Sequence, residues 1–146
     1  EEISRTGLQI KLDTNGSNPA VIKTLLSKGF LNYLALDIKT SFCKYDSFSG
    51  FKGAALKVLE SAKVCMDSGI EYEFRTTCVP GIVDADDFEE IGESLKGSSR
   101  YCLQSFRPGI TFDPEFSKIK PFPESTVRGF AEILRRYVKT VELRGF

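Results

Sequence analysis

Apolar residues at alternate positions, Leu8, Ile10 and Leu12, predict a strand over about residues 7–13. A helix is expected next. Asn18 supplies its N-cap, Pro19 its first position, Val21, Ile22, Leu25 and Leu26 its core face, and Gly29 its stop. The pattern then repeats. NYLALDIK (32–39) reads as a strand, FKGAALKVLESAKVCMDSG (51–69) as a helix, and EYEFRTT (71–77) as a third strand. After a ValProGly turn at 79–81, Asp84 is expected to cap the acid-led helix DADDFEEIGESLKG. RYCLQSF (100–106) reads as a fourth strand, PESTVRGFAEILRRYVK (123–139) as a helix and TVELRG (140–145) as a last strand. The stretch KTSFCKYDSFSG (39–50) is expected to be a βα loop, either solvated or facing a partner.

Strands alternating with helices through short loops predict an α/β fold of parallel βα repeats. The strand faces sharpen this. Gln9, Lys11 and Asp13 share one face of the first strand, Asp37 and Lys39 one face of the second, and Glu71, Glu73, Arg75 and Thr77 one face of the third. The opposite faces, Leu8/Ile10/Leu12, Leu34/Leu36/Ile38 and Tyr72/Phe74, suit helices. Helices on one side and charges on the other predict part of an open TIM-like barrel with a polar lumen, and such a lumen is expected to hold a ligand.

The 146 residues fit one domain, or a piece of a larger one. Twenty basic residues balance 20 acidic ones, so no large footprint for nucleic acid or acidic membrane is expected. No apolar run approaches the ~20 residues of a membrane span, and EEISRTG has no signal-peptide pattern. A soluble, cytoplasmic protein is the expectation. Cys43, Cys65, Cys78 and Cys102 show no CxxC or CxxxCxxC spacing, and with no His the usual zinc ligand sets cannot form. Free thiols are expected. Glu1 in place of Met predicts that the chain begins inside a longer polypeptide.

In βα folds ligands sit at the carboxyl ends of strands. The unusual residues lie there. Asp13 and Thr14, followed by Asn15 and Gly16, end the first strand, Asp37 and Lys39 the second, Arg75 and Thr77 the third, and Arg107 the fourth. Lys39 and Arg75, or Arg107, could hold a carboxylate, while Asp13 and Asp37 could hold a cation or hydroxyls. Taken singly, DTNG also reads as a turn, and Asp37–Lys39 or Glu73–Arg75 as ion pairs. Together, charges at successive strand ends point to a site.

KLDTNG, LALDIK, EFRTTCVPG, YCLQSFRPG and FDPEF, in this order and near these spacings, resemble the radical S-adenosylmethionine activating enzymes of the glycyl-radical type. These include the pyruvate formate-lyase and anaerobic ribonucleoside-triphosphate reductase activating proteins. The resemblance covers essentially the whole chain. It implies a partial βα barrel of six parallel strands, of which this chain supplies the third strand onward. It also implies S-adenosylmethionine and a [4Fe–4S] cluster as cofactors. Asp13, Thr14 and Asp37 would then lie at the methionine end of S-adenosylmethionine with Asn15 beside them, and Lys39 and Arg75 would help bind it. Arg107 stands where some relatives have a His against the nucleoside. The implied partner is a glycyl-radical enzyme, with an electron donor such as flavodoxin or ferredoxin. The first two βα units, with the CxxxCxxC thiolates and a Gly-Gly-Glu segment, have no counterpart here, so this chain alone is expected to be inactive.

Two other readings stand beside this one. A D-x-K lyase of the barrel type would use Lys39, although Phe42 occupies the place of its second Asp. A non-catalytic partner-binding module or relic would use its exposed sheet edge. The same edge predicts self-association of this chain.

Overall fold

The computed structural model describes residues 2–109, 111 and 113–146. Phe112, the first residue of FDPEF, lies outside them. The elements are β1 (Lys11–Thr14), α1 (Pro19–Ser27), β2 (Tyr33–Asp37), α2 (Phe42–Ser49), α3 (Ala54–Met66), β3 (Glu71–Cys78), α4 (Ala85–Ser94), β4 (Arg100–Ser105), α5 (Glu124–Leu134) and β5 (Thr140–Arg144). Among the described residues, five strands run parallel in the order β1-β2-β3-β4-β5, and the sheet they form does not close. The fold is thus the α/β repeat architecture of a partial barrel.

The register puts Asp13 beside Ala35, Ala35 beside Glu73, Asp37 beside Arg75, and Cys102 beside Glu142. Because side chains alternate along a strand, the neighbouring positions Leu34, Leu36, Phe74, Tyr101 and Leu103 share the other face. Those five are fully buried, packed with Ile22 of α1, Val58 and Ala62 of α3, Phe88 and Ile91 of α4 and Val127 of α5. The helices therefore cover one face of the sheet. The charges occupy the other.

Several boundaries differ from the sequence expectation, four of them for a clear local reason. The first strand begins at Lys11 rather than near residue 7, since pairing starts at Lys11 opposite Tyr33 and Leu8 is exposed. Ile10 is instead pinned by Asn32, whose Oδ1 accepts from the Ile10 amide at 2.8 Å. The expected loop 39–50 contains α2. Phe42 and Tyr45, three residues apart, are buried with ring centroids 6.1 Å apart, which is a short apolar stripe of helical period. The third helix starts at Ala54, not 51, because Gly53 holds a left-handed φ of 84°. The last helix stops at Leu134, with backbone bonds from Arg136, Tyr137 and Val138 rounding off its end.

The start of α2 is fastened to α4. The Phe42 amide donates to Glu90 Oε2 at 2.8 Å, Lys44 Nζ lies 2.9 Å from Asp87, and Ser41 Oγ donates to Asp87 Oδ1. In turn Asp84 and Asp87 form a capping box: Asp84 Oδ1 accepts from the Asp87 amide at 3.0 Å, and Asp87 Oδ2 from the Asp84 amide at 2.9 Å. Replacing Asp84 by Ala is expected to cost about 1 kcal/mol, and Asp84→Asn to retain most of that. Urea denaturation of both variants checks this; equal losses would remove the cap from the account.

Candidate functional site

The carboxyl ends of β1, β2 and β3 bring four charged side chains together on the face that carries no helix. Asp37 ends β2, and Arg75 sits beside it in the register of β3. Arg75 donates from Nε to Asp37 Oδ1 at 2.9 Å, its Nη2 lies 2.8 Å from the same oxygen, and its Nη1 pairs with Asp13. Lys39 Nζ donates to Asp37 Oδ2 at 2.9 Å. Thus Asp13, Arg75, Asp37 and Lys39 form one alternating chain of charge.

Access differs along that chain. The Arg75 side chain is 15% exposed and Asp37 25%, against 52% for Asp13 and 41% for Lys39. Burial alone would lower the Arg75 pKa, but the Asp37 and Asp13 carboxylates outweigh it and hold the guanidinium above its usual value. The arginine therefore stays charged and fixed, while its two carboxylates keep an open side. Two acids and two bases at strand ends can exchange their mutual pairs for a ligand carrying both signs.

Thr14 and Asn15 do not join this charge chain. Thr14 Oγ1 accepts from the Gly16 amide at 3.2 Å, and Asn15 Oδ1 accepts from the Ser17 amide at 3.0 Å. These are side-chain turns of the β1–α1 loop. Gly16 is the lock of that loop. Its φ is 73°, and a Cβ there would lie 2.6 Å from Leu36 Cδ1 and 3.3 Å from Ser61 Cβ. Ser61 Oγ of α3 donates to the Gly16 carbonyl at 2.7 Å, which holds the loop, and hence Asp13, in place. LDTNG is therefore both a turn and the mount of a charged strand end.

Arg107 stands apart. It is exposed after β4, its guanidinium 3.5 Å from where a Cβ on Gly145 would be. Among the described residues no hydrogen bond or ion pair ties it to Asp37. The structure thus gathers Asp13, Asp37, Lys39 and Arg75, leaves Thr14 and Asn15 in the adjoining turn, and does not gather Arg107.

A second charged row lies lower on the same face. Glu73, 1% exposed, accepts from Arg144 Nη1 at 3.0 Å and Nη2 at 2.6 Å, with Lys11 Nζ 3.7 Å away. Arg144 also donates to Glu142 at 3.0 Å. Burial alone would raise the Glu73 pKa, but Arg144, with Lys11 and Arg75, holds it below the usual carboxylate range. Taken singly, Glu73 and Arg75 read as an ion pair in the sequence, but Glu73 goes to Arg144 instead. The alternation in TVELR, which puts Glu142 and Arg144 on one face, was the signal for the true partner.

Among the described residues no group of three or more His, Cys, Asp or Glu is placed to hold a metal ion. All four cysteines are free thiols, with Cys43 exposed and the others buried. Burial pushes the Cys65 and Cys78 thiols up to about 12 and Cys102 to about 11, so none of these three is poised as a thiolate ligand. No described helix is long and apolar enough to cross a membrane.

No family model matches the chain. In backbone course it is similar to the crystal structure of a domain of pyruvate-formate lyase-activating enzyme from Bacteroides vulgatus. The TM-score is 0.70 at 14% identity, over 97% of this chain and 84% of that one. In sequence it is 32% identical over 145 residues to a protein of Methanocaldococcus jannaschii provisionally named a glycyl-radical enzyme activating enzyme. The match takes in 94% of this chain and 59% of that protein, so the chain spans well under two thirds of its relative's length. Along nearly all its residues the chain is thus similar in sequence to that activating enzyme, and in fold to the pyruvate-formate lyase-activating domain.

Proposed function

We propose that this chain is the S-adenosylmethionine-binding portion of such an activating enzyme, the part of a radical S-adenosylmethionine barrel that runs from the third strand onward. The Asp13–Arg75–Asp37–Lys39 cluster carries the reading. S-adenosylmethionine has a carboxylate, an ammonium and a sulfonium, and the cluster offers cations to the first and carboxylates to the others. Lys39 and Arg75 would take the carboxylate, Asp13 and Asp37 the ammonium or an accompanying cation. Thr14 and Asn15 would shape the loop beside it. When bound, the cofactor supplies the group that removes hydrogen from a glycine of the partner enzyme, of the anaerobic ribonucleotide reductase or pyruvate formate-lyase type. A flavodoxin or ferredoxin would be the electron donor.

The [4Fe–4S] cluster implied by the family does not fit these residues. The thiols are scattered and three are buried, so its ligands would come from outside this chain.

Titrating S-adenosylmethionine into the isotope-labelled chain is expected to move the amide signals of residues 13–16 and 37–39. Asp37→Asn should weaken binding about tenfold by removing a charged hydrogen-bond acceptor. Signals at those positions that stay fixed at millimolar cofactor would sink the proposal.

A further inference from the structure

A second recess lies beside the charged cluster, and its electrostatic sign is different. It is a cleft of about 640 Å³ between the β1–α1 loop and the α2–α3 hairpin, within the size range of small-molecule pockets. Lys39, Lys52 and Lys57 line it, and none of its lining residues is acidic. Lys57 has no ion pair among the described residues. Asp46 of α2, adjacent to this wall, turns its oxygens to the amides of Gly53 at 2.6 Å and Ala55 at 2.9 Å, so its hydrogen bonds go to the start of α3, while its charge is felt by Lys52. From the opposite side Ser17 and Asn18 present the amino terminus of α1, whose dipole adds to the positive field.

The same cleft has an aromatic rim. Phe51 is 74% exposed and Phe48 47%, two of the largest apolar side chains on the surface. Tyr45 fixes Phe48 edge-on at 6.4 Å between ring centroids. Exposed rings beside a group of lysines, of which Lys57 has no ion pair among the described residues, suit a ligand with a flat ring at one end and concentrated negative charge at the other. S-adenosylmethionine is a poor match, since its net positive charge would meet only cations. A bare phosphate would leave the rings unused.

We propose that this cleft binds a free nucleoside polyphosphate, with the phosphates on Lys52, Lys57 and the α1 amino terminus and the base against Phe51 and Phe48. The cleft shares Lys39 and Asn15 with the edge of the cofactor site proposed above, but the groups assigned to the phosphates and the base are its own.

The test is a titration of the chain with ATP, tripolyphosphate and adenosine, read by calorimetry and by amide signals. ATP is expected to bind more tightly than either part and to move the signals of residues 17, 18, 51, 52 and 57. The double variant Lys52→Gln/Lys57→Gln should weaken ATP at least tenfold. Phe51→Ala should weaken ATP about tenfold and leave tripolyphosphate unchanged. Asp13→Asn, at a residue that does not line the cleft, should leave ATP binding intact while it impairs S-adenosylmethionine binding, which separates failure of one site from failure of the other. Tripolyphosphate binding as tightly as ATP would mean ion attraction only and would overturn the proposal. So would absence of ATP binding, or signals that move elsewhere.

Discussion

Arg144→Met should destabilise the protein by on the order of 3 kcal/mol at neutral pH, because it strips the bidentate partner from a buried carboxylate. Glu73 is 1% exposed, and burial pulls its pKa up whenever its cations are removed. Lys11 at 3.7 Å and Arg75 remain, which keeps the loss from reaching the upper end for a broken buried pair. The pH dependence reveals the mechanism. In the parent chain the Glu73 pKa is depressed, so its contribution is present above the unfolded value and is lost as pH falls through the folded one. In the variant the folded pKa is expected to rise above the unfolded value, and the sign reverses: the protonated acid is tolerated, and stability falls as pH rises through that pKa. Urea titrations should therefore show the variant much nearer the parent at about pH 4 than at about pH 7. Adding Glu73→Gln to the variant should recover much of the loss at neutral pH. An equal deficit at both pH values, unrelieved by the second substitution, would mean that packing and not charge is at stake.

A loss of similar size is expected for Gly16→Ala, on the order of 3 kcal/mol, from two sources that can be separated. One is the left-handed backbone, with φ 73°, which any Cβ makes costly. The other is contact, since the new Cβ would stand 2.6 Å from Leu36 Cδ1 and 3.3 Å from Ser61 Cβ. Leu36→Val added to Gly16→Ala should recover part of the contact cost and none of the backbone cost. Ser61→Ala, which removes only the 2.7 Å bond to the Gly16 carbonyl, should cost about 1 kcal/mol. A Gly16→Ala protein that melts with the parent would show that the loop has another way to lie against α3. Because Asp13 is three residues away on the same strand end, the substitution should also loosen the Asp13–Arg75 pair and weaken cofactor binding.

The sheet was legible in the sequence because its faces differ in kind. Asp37 and Arg75 read as one face and Leu36 and Phe74 as the other, and the register places them so. Boundaries were less legible where a neighbour decides them. Leu8 alternates correctly with Ile10 and Leu12 yet has no strand to pack against, so it stays exposed. The helix over Phe42–Ser49 was hidden because its apolar stripe is only Phe42 and Tyr45, and its fastening comes from Asp87 and Glu90 on a distant segment. The Asp13–Arg75–Asp37–Lys39 cluster could be foreseen from strand ends alone. The alternation in TVELR puts Arg144 on the right face, but pairing it with Glu73 also requires that β5 lies two strands over from β3. Arg107 follows a strand end as Arg75 precedes one, but the chain after β4 carries it away.

The strand order has a kinetic meaning as well. Each strand pairs with the strand next in sequence, and the last need not find the first. A chain leaving the ribosome amino terminus first can add every new βα unit to an edge already present, with only short loops to close. Assembly is then expected to be sequential, with α1 and α3 docked on β1–β3 before α5 is synthesised. The same order makes the growing edge the vulnerable species, since at each stage one strand waits with its amides and carbonyls unpaired. Pauses in translation between Cys78 and Arg100 would lengthen that wait at β3, which pairs β2 on one side and needs β4 on the other.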